Sequence, residues 1–191
     1  MIAATLKKSF DRYYEAPLEI WEYFATLCEP ATFKKNETIK AAGKVDRFGC
    51  FLLEGSAGAL VWSENNQICT DIYVEGDFFA DDLSLFTGKP SPLEIRAFEA
   101  VTLLKISKTN IETLQKTPIG RLLFSIGDQQ GYLQKQQQQI DMMTQTAETR
   151  YAQLLEKNPA LVLRIPQKFI ASYLGITPQS LSRIRRKMTE Q

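Results

Sequence analysis

Apolar positions recur along this chain in three rhythms, and each predicts a different kind of element. In "LEIWEYFATLC", Leu18, Trp21, Phe24, Ala25 and Cys28 fall on one stripe at three- and four-residue steps, which predicts a short amphipathic helix. From about Phe33 to Ile106 the pattern changes to short apolar segments broken by Gly43, Gly49, Glu54-Gly55, Glu64-Asn65-Asn66 and Glu75-Gly76-Asp77. Segments of about five to seven residues with such punctuation predict the strands of an antiparallel sandwich or barrel, with "SENNQ" as a hairpin turn. A last strand pair is expected in "LEIRAFEAVTLLKISK", where Ile95, Ala97, Val101, Leu103 and Ile106 partly alternate. The third rhythm is sevenfold. Ile119, Ile126, Leu133 and Ile140, thickened by Leu122 and Leu123, predict a long helix from about Thr117 to Thr146 that pairs with a copy of itself. Gln129, Gln130, Gln136 and Gln137 make the lower half of that seam partly polar, and packing on the chain's own barrel is the alternative. Glutamine is a fair helix former, so "QKQQQQ" is read as helix.

Beyond a further helix with Tyr151, Leu154 and Leu155, the end of the chain repeats the helical rhythm twice in a short space. Ile170, Ala171 and Leu174 lie before Gly175, and Leu181 and Ile184 lie after Pro178. Glycine supplies the positive φ that stops a helix, Thr177 is able to cap the next, and proline suits its first turn. The prediction is a tight helix-turn-helix with Ile170, Leu174, Ile176, Leu181 and Ile184 as shared core and the small Ala171 at the crossing. Gln179, Ser180, Ser182, Arg183 and Arg186 are left on the outer face of the second helix. Amides and guanidinium groups pair two-pronged with adenine and guanine edges in the major groove. Gln179, Ser180 and Arg183 are therefore the candidate base readers, and Thr177, Arg185, Arg186 and Lys187 the candidate phosphate contacts, with Ser182 open to either role.

Charge sharpens this picture. The whole chain has 23 basic and 22 acidic side chains, yet from Lys157 to Thr189 there are seven basic residues and no acidic one. Such asymmetry is the footprint of a phosphate-binding surface attached to something else, although a basic hairpin packed on its own domain would also produce it. The chain has no histidine, which removes His-dependent hydrolytic triads, most zinc chemistry and histidine ligation of haem. An enzyme is accordingly not expected. Cys28, Cys50 and Cys69 are odd in number and set in apolar stretches, so they are expected as reduced, mostly buried thiols. They are too few for an iron–sulfur cluster, and thiol redox sensing would need an exposed thiol of low pKa. No apolar run is long enough for a bilayer, and the opening "MIAATLKKSFDRYYEAP" is broken by charge, so a cytoplasmic protein without membrane association is expected.

A small helix, a β-roll, a long pairing helix and a terminal helix-turn-helix, in this order, resemble the Crp/Fnr transcription regulators. "LLEGSAGALV" is similar to the family's turn-containing strand pair, and "VEGDFFADDLSLF" to its Gly-Asp-Phe strand leading into a phosphate-binding cassette. The resemblance implies an α+β fold: an antiparallel cyclic-nucleotide-binding-like β-roll (double-stranded β-helix) at about 1–110, a dimerisation helix at 111–146, and a winged-helix/helix-turn-helix DNA-binding domain at 147–191. It implies a homodimer on a palindromic double-stranded operator, with RNA polymerase as a candidate further partner and no resident cofactor. The implied effector pocket is Phe79, Ala80, Asp81, Asp82, Ser91, Pro92 and Arg96. In cyclic-nucleotide-binding members the cassette resembles Phe-Gly-Glu-Leu, with an arginine about ten residues on. The glutamate there holds the ribose and the arginine the cyclic phosphate. Here the glycine becomes Ala80, the glutamate Asp81 and the arginine Ser91. A buried phosphate without its cation forfeits a charge-assisted bond of about 1.5 to 3 kcal/mol, and cyclic AMP is therefore not expected as a strong ligand. Arg96, on the next strand, resembles a basic residue often seen in the family outside the phosphate contact, and pairing with Asp81 or Asp82 is the alternative. Gln179 stands where many members carry a glutamate, so an operator that differs from the usual half-site is expected. A degenerate β-roll acting as a protein-interaction module is the alternative reading.

Overall fold

The computed structural model describes residues 1–64 and 66–189. Two helices open the chain, α1 (Ile2–Phe10) and α2 (Leu18–Thr26). The roll follows as β1 (Cys28–Phe33), β2 (Thr38–Lys40), β3 (Phe48–Glu54), β4 (Ala57–Ser63), β5 (Asn66–Tyr73), β6 (Phe78–Phe79), the short α3 (Asp82–Thr87), β7 (Leu93–Ala97) and β8 (Val101–Ser107). Helices α4 (Lys108–Gln115), α5 (Pro118–Thr144), α6 (Ala147–Lys157), α7 (Leu161–Arg164), α8 (Gln167–Tyr173) and α9 (Pro178–Thr189) complete it. The strands form two antiparallel four-stranded sheets, ordered β1-β8-β3-β6 and β2-β7-β4-β5.

Both sheets are covered on both faces, which is why the sequence shows apolar doublets in place of clean alternation. Leu52 and Leu103 point into the roll with Ile95, Ala97 and Phe79. Their neighbours Phe51 and Leu104 point out, into a second core with Leu6, Phe10, Trp21, Phe24 and Leu123. The other sheet turns Leu60 and Cys69 outward, into a third core with the C-terminal helices. The strand region begins earlier than expected, at Cys28, because β1 pairs with β8 from Cys28↔Ile106 onward. Pro30 is tolerated there because β1 is an edge strand, where a missing N–H costs no ladder bond. Helix α1 was hidden by its charges. Only Leu6 and Phe10 of it are buried, and Phe10 packs on Trp21 at 5.3 Å between ring centroids. The "SENNQ" segment is the β4–β5 turn, with Asn65 itself outside the described residues.

Helix α5 starts where its local chemistry places it, with Pro118 in the first turn and Thr117 Oγ1 accepting from Gly120 N at 3.0 Å. Its sevenfold stripe divides. Ile119 and Ile126 pack partly on the chain's own second core, whereas Leu133 and Ile140 are 57% and 50% exposed. After Ser107 no strand occurs among the described residues, so the strands of the expected wing are not among them. None of the described helices is long and apolar enough to cross a membrane.

Candidate nucleic-acid interface and cassette pocket

The turn between α8 and α9 has the chemistry its residues predict. Gly175 adopts φ +68°, its N–H donates to Ser172 O at 2.9 Å, and Ile176 N donates to Ala171 O at 2.9 Å. These two bonds are a Schellman closure, which satisfies carbonyls that the end of α8 would otherwise leave open. Thr177 Oγ1 then caps α9 by accepting from Ser180 N at 3.2 Å. Leu181 and Ile184 are buried against Ile170, Ala171 and Leu174. The opposite face presents Gln179, Ser182, Arg183 and Arg186 to solvent.

Four residues assigned to this interface from sequence have contacts within the chain as well. The hydroxyls of Thr177 and Ser180 bond each other at 3.0 Å, so both serve the cap. Arg185 is half-buried and lines a groove with Tyr151, Leu155, Val162 and Met188, off the outward face. Lys187 pairs with Glu148 of α6 at 2.9 Å. Both partners are about half solvated, so this ion pair adds little stability and is open to exchange for a phosphate. A further member of the basic run, Arg164, is tied to Glu75 and Glu99 of the roll. The acid-free stretch therefore has acidic partners that lie far away in sequence.

At the other end of the roll, the cassette residues separate into two sets. Asp81 and Ser91 come together in the interior, 2% and 3% exposed, with Ser91 Oγ donating to Asp81 Oδ2. Their third member is Lys40, which the sequence reading missed. Its ammonium lies 2.5 Å from Asp81 Oδ2, 2.9 Å from Ser91 Oγ and 2.8 Å from Leu93 O. The only sequence signal for it is a lone cation in the apolar surroundings of "TIKAAG". Asp81 also caps α3, accepting from Ser84 N at 3.2 Å. Its own N–H donates to Asp46 Oδ2 at 3.0 Å, a second buried carboxylate. Phe79 floors this region, stacked on Tyr73 at 4.5 Å.

Asp82 and Pro92 are exposed, Ala80 is half-buried in the second core, and none of the three bonds to the buried set. Arg96 pairs with Glu94 at 2.7 Å and donates to Gln67 Oε1 at 3.1 Å. The expected alternative of a pair with Asp81 or Asp82 is thus not formed: Glu94 lies two residues away on the same face of the same strand and takes the guanidinium. Chemically, Ser91, which the resemblance sets at a phosphate-binding arginine, offers a hydroxyl that serves an internal carboxylate, and the nearby Lys40 cation is already neutralised.

Burial disfavours the thiolate at all three cysteines. Burial pushes Cys28 up to about 11 and Cys50 and Cys69 up to about 12, with Asp46 and Asp71 adding to the shift at Cys50 and Cys69. Little thiolate is present at neutral pH.

Comparison with known families matches residues 30–117 to the cyclic nucleotide-binding domain. Comparison with curated protein sequences finds no match. The chain is similar in structure to FixK2 from Bradyrhizobium japonicum, with a TM-score of 0.73 at 18% identity over 86% of this chain and 85% of that one. It is similar to a CooA variant from Carboxydothermus hydrogenoformans, with a TM-score of 0.69 at 15% identity over 97% and 84%. A transcriptional regulator of the Crp/Fnr family from Thermus thermophilus gives 0.66 at 18% identity over 85% and 86%. Residues 30–117 thus match the cyclic nucleotide-binding domain, and the fold of the chain is similar to that of a Crp/Fnr-family regulator of known structure.

Proposed function

We propose that the protein is a homodimeric, sequence-specific DNA-binding transcription regulator of the cytoplasm, and not an enzyme. The observation that carries this reading is the outward face of α9: Gln179, Ser182, Arg183 and Arg186 on a helix whose inner face is buried and whose start is fixed by the Gly175 turn. That face has the residue types and the rigidity that base-edge readout in a major groove requires. In this reading residues 1–110 sense, 111–146 dimerise and 147–191 bind DNA. The exposed Leu133 and Ile140 of α5 supply a seam for the second copy. Two recognition helices held about one helical turn of DNA apart select a palindrome. Whatever deforms the roll changes the packing of α5 and so the separation of those helices, a shift between populations of one assembly. Gln179 and Arg183 read bases, and Arg186 and Lys187 contact phosphates.

The Lys40–Asp81–Ser91 cluster supports an effector other than cyclic AMP, since an incoming phosphate would meet two buried carboxylates and a spent cation. Binding of the full chain to a randomised duplex pool across a salt series, with and without cyclic nucleotides, tests the reading. Recovery of a palindrome with a steep salt slope, unchanged by cyclic AMP, is the expected result. Shallow, sequence-blind binding would transfer the assignment to a protein-interaction module.

A further inference from the structure

The helix-turn-helix module lies against the roll of its own chain through the shared third core, and three contacts stand out where the two meet. Phe98 of the roll stacks on Phe169 of α8 at 4.7 Å and 15°. The Phe98 ring reaches this place because residue 58 is glycine, where a Cβ would stand 2.2 Å from Phe98 Cζ. Ser172 Oγ accepts from Cys69 N at 2.9 Å. The third contact is Arg164, at the end of α7. Its Nε and Nη2 donate to Glu99 Oε1 at 2.9 and 2.7 Å, and its Nη1 and Nη2 to Glu75 Oε2 and Oε1 at 3.0 and 2.5 Å.

Those two carboxylates are preset by the roll. Glu75, in the turn after β5, accepts from Gly55 N at 2.9 Å, and Glu99, in the turn before β8, accepts from Ser56 Oγ at 2.6 Å. A planar guanidinium seated on two anchored carboxylates fixes direction as well as distance, which a stacked ring pair or a single hydrogen bond does not.

We propose that Arg164 is a positioning residue: its clamp on Glu75 and Glu99 fixes the orientation of the helix-turn-helix module on the roll, and so the direction in which α9 is presented to DNA. The proposal rests on the DNA-binding reading above. It removes Arg164 from the phosphate contacts, because the donors of its fork are spent on the roll. The Arg164 side chain keeps 28% of its surface in contact with water, so the clamp is open to screening by salt. Added salt therefore weakens the positioning of α9 as well as its phosphate contacts.

The test uses the full chain with Cys28→Ser, and spin labels on cysteines replacing the exposed Lys35 of the roll and Glu156 of α6. Variants are Arg164→Met, Arg164→Glu, and the exchange Arg164→Glu with Glu75→Arg. Double electron–electron resonance reads the roll-to-module distance, and binding to duplexes with the two half-sites at graded separations reads the presentation of α9. Diluted with an excess of unlabelled chain so that one protomer of a dimer carries both labels, the parent protein is expected to show one narrow distance and a preference of about tenfold for one separation. In Arg164→Met the distance broadens and the preference falls to about twofold or less. The exchange variant narrows the distance again, a rescue that a general loss of stability would not produce. An unchanged distance in Arg164→Met overturns the clamp, and so does a broadened distance with an unchanged preference. If the parent protein prefers no duplex, the DNA-binding reading fails, and the distance measurement alone then decides whether Arg164 sets the orientation.

Discussion

The cassette end of the roll and the outward face of α9 are both polar, but their groups are disposed in opposite ways. Lys40, Asp81, Ser91 and Asp46 are buried, and each spends its bonding capacity on the others and on nearby backbone. Gln179, Ser182 and Arg183 are exposed and held on a stiff support. A polar group that is satisfied internally resists a ligand, because the ligand must replace bonds that already exist in a poor solvent for charge. A polar group kept in water on a rigid helix exchanges one partner for another at little cost. The difference supports the proposal that the outward face of α9 takes a partner, whereas the polar groups of the cassette are committed to one another.

The largest effect expected from breaking this contrast is at Lys40. Lys40→Met leaves Asp81 as an unpaired buried carboxylate and should cost about 3–5 kcal/mol in denaturant unfolding, whereas Lys40→Met with Asp81→Asn should recover roughly half of that loss. Equal losses in the single and double variants would mean that the pair is not the source. Next comes Arg183→Ala, expected to relax selectivity at one base position by about 1–3 kcal/mol with an unchanged melting temperature, as read by competition among single-base operator variants. Gly175→Ala should cost about 1–2 kcal/mol of stability, since alanine at φ +68° is strained and its Cβ would meet Met142 Cε at 2.7 Å. Smallest is Lys187→Ala, which should change stability by under about 0.5 kcal/mol and reduce the salt slope of DNA binding by about 1. The thiols sharpen the contrast from another side. With Cys50 and Cys69 both pushed up to about 12, alkylation by iodoacetamide at neutral pH should proceed only as fast as the protein unfolds.

What was legible in the sequence was what short stretches decide for themselves. Gly175, Thr177 and Pro178 specify the turn and the start of α9 through bonds that span a few residues, and Thr117 with Pro118 does the same for α5. The strands were legible in outline, but the doublets Phe51-Leu52 and Leu103-Leu104 concealed two-sided burial. Partners distant in the chain were not legible. Lys40 meets Ser91 across 51 positions, and Arg164 meets Glu75 across 89, so neither pairing leaves a local pattern. The same limit explains Lys187, whose acid lies on α6, whereas the partner of Arg96 lay on its own strand. Helix α3 was missed because a six-residue helix holds too little periodicity, and its start depends on Asp81 as cap.

The core shared by the roll and the C-terminal helices has a consequence for how the protein is made. During synthesis Leu60, Cys69 and Phe98 of the roll emerge well before Phe169, Ile170 and Leu174, which cover them. At ribosomal speed that interval lasts several seconds, long compared with the folding of a small roll. A nascent chain thus presents a finished domain with one apolar face still bare. That face would engage chaperones on each newly made molecule, and it would make the roll, cut free of its last helices, prone to aggregate.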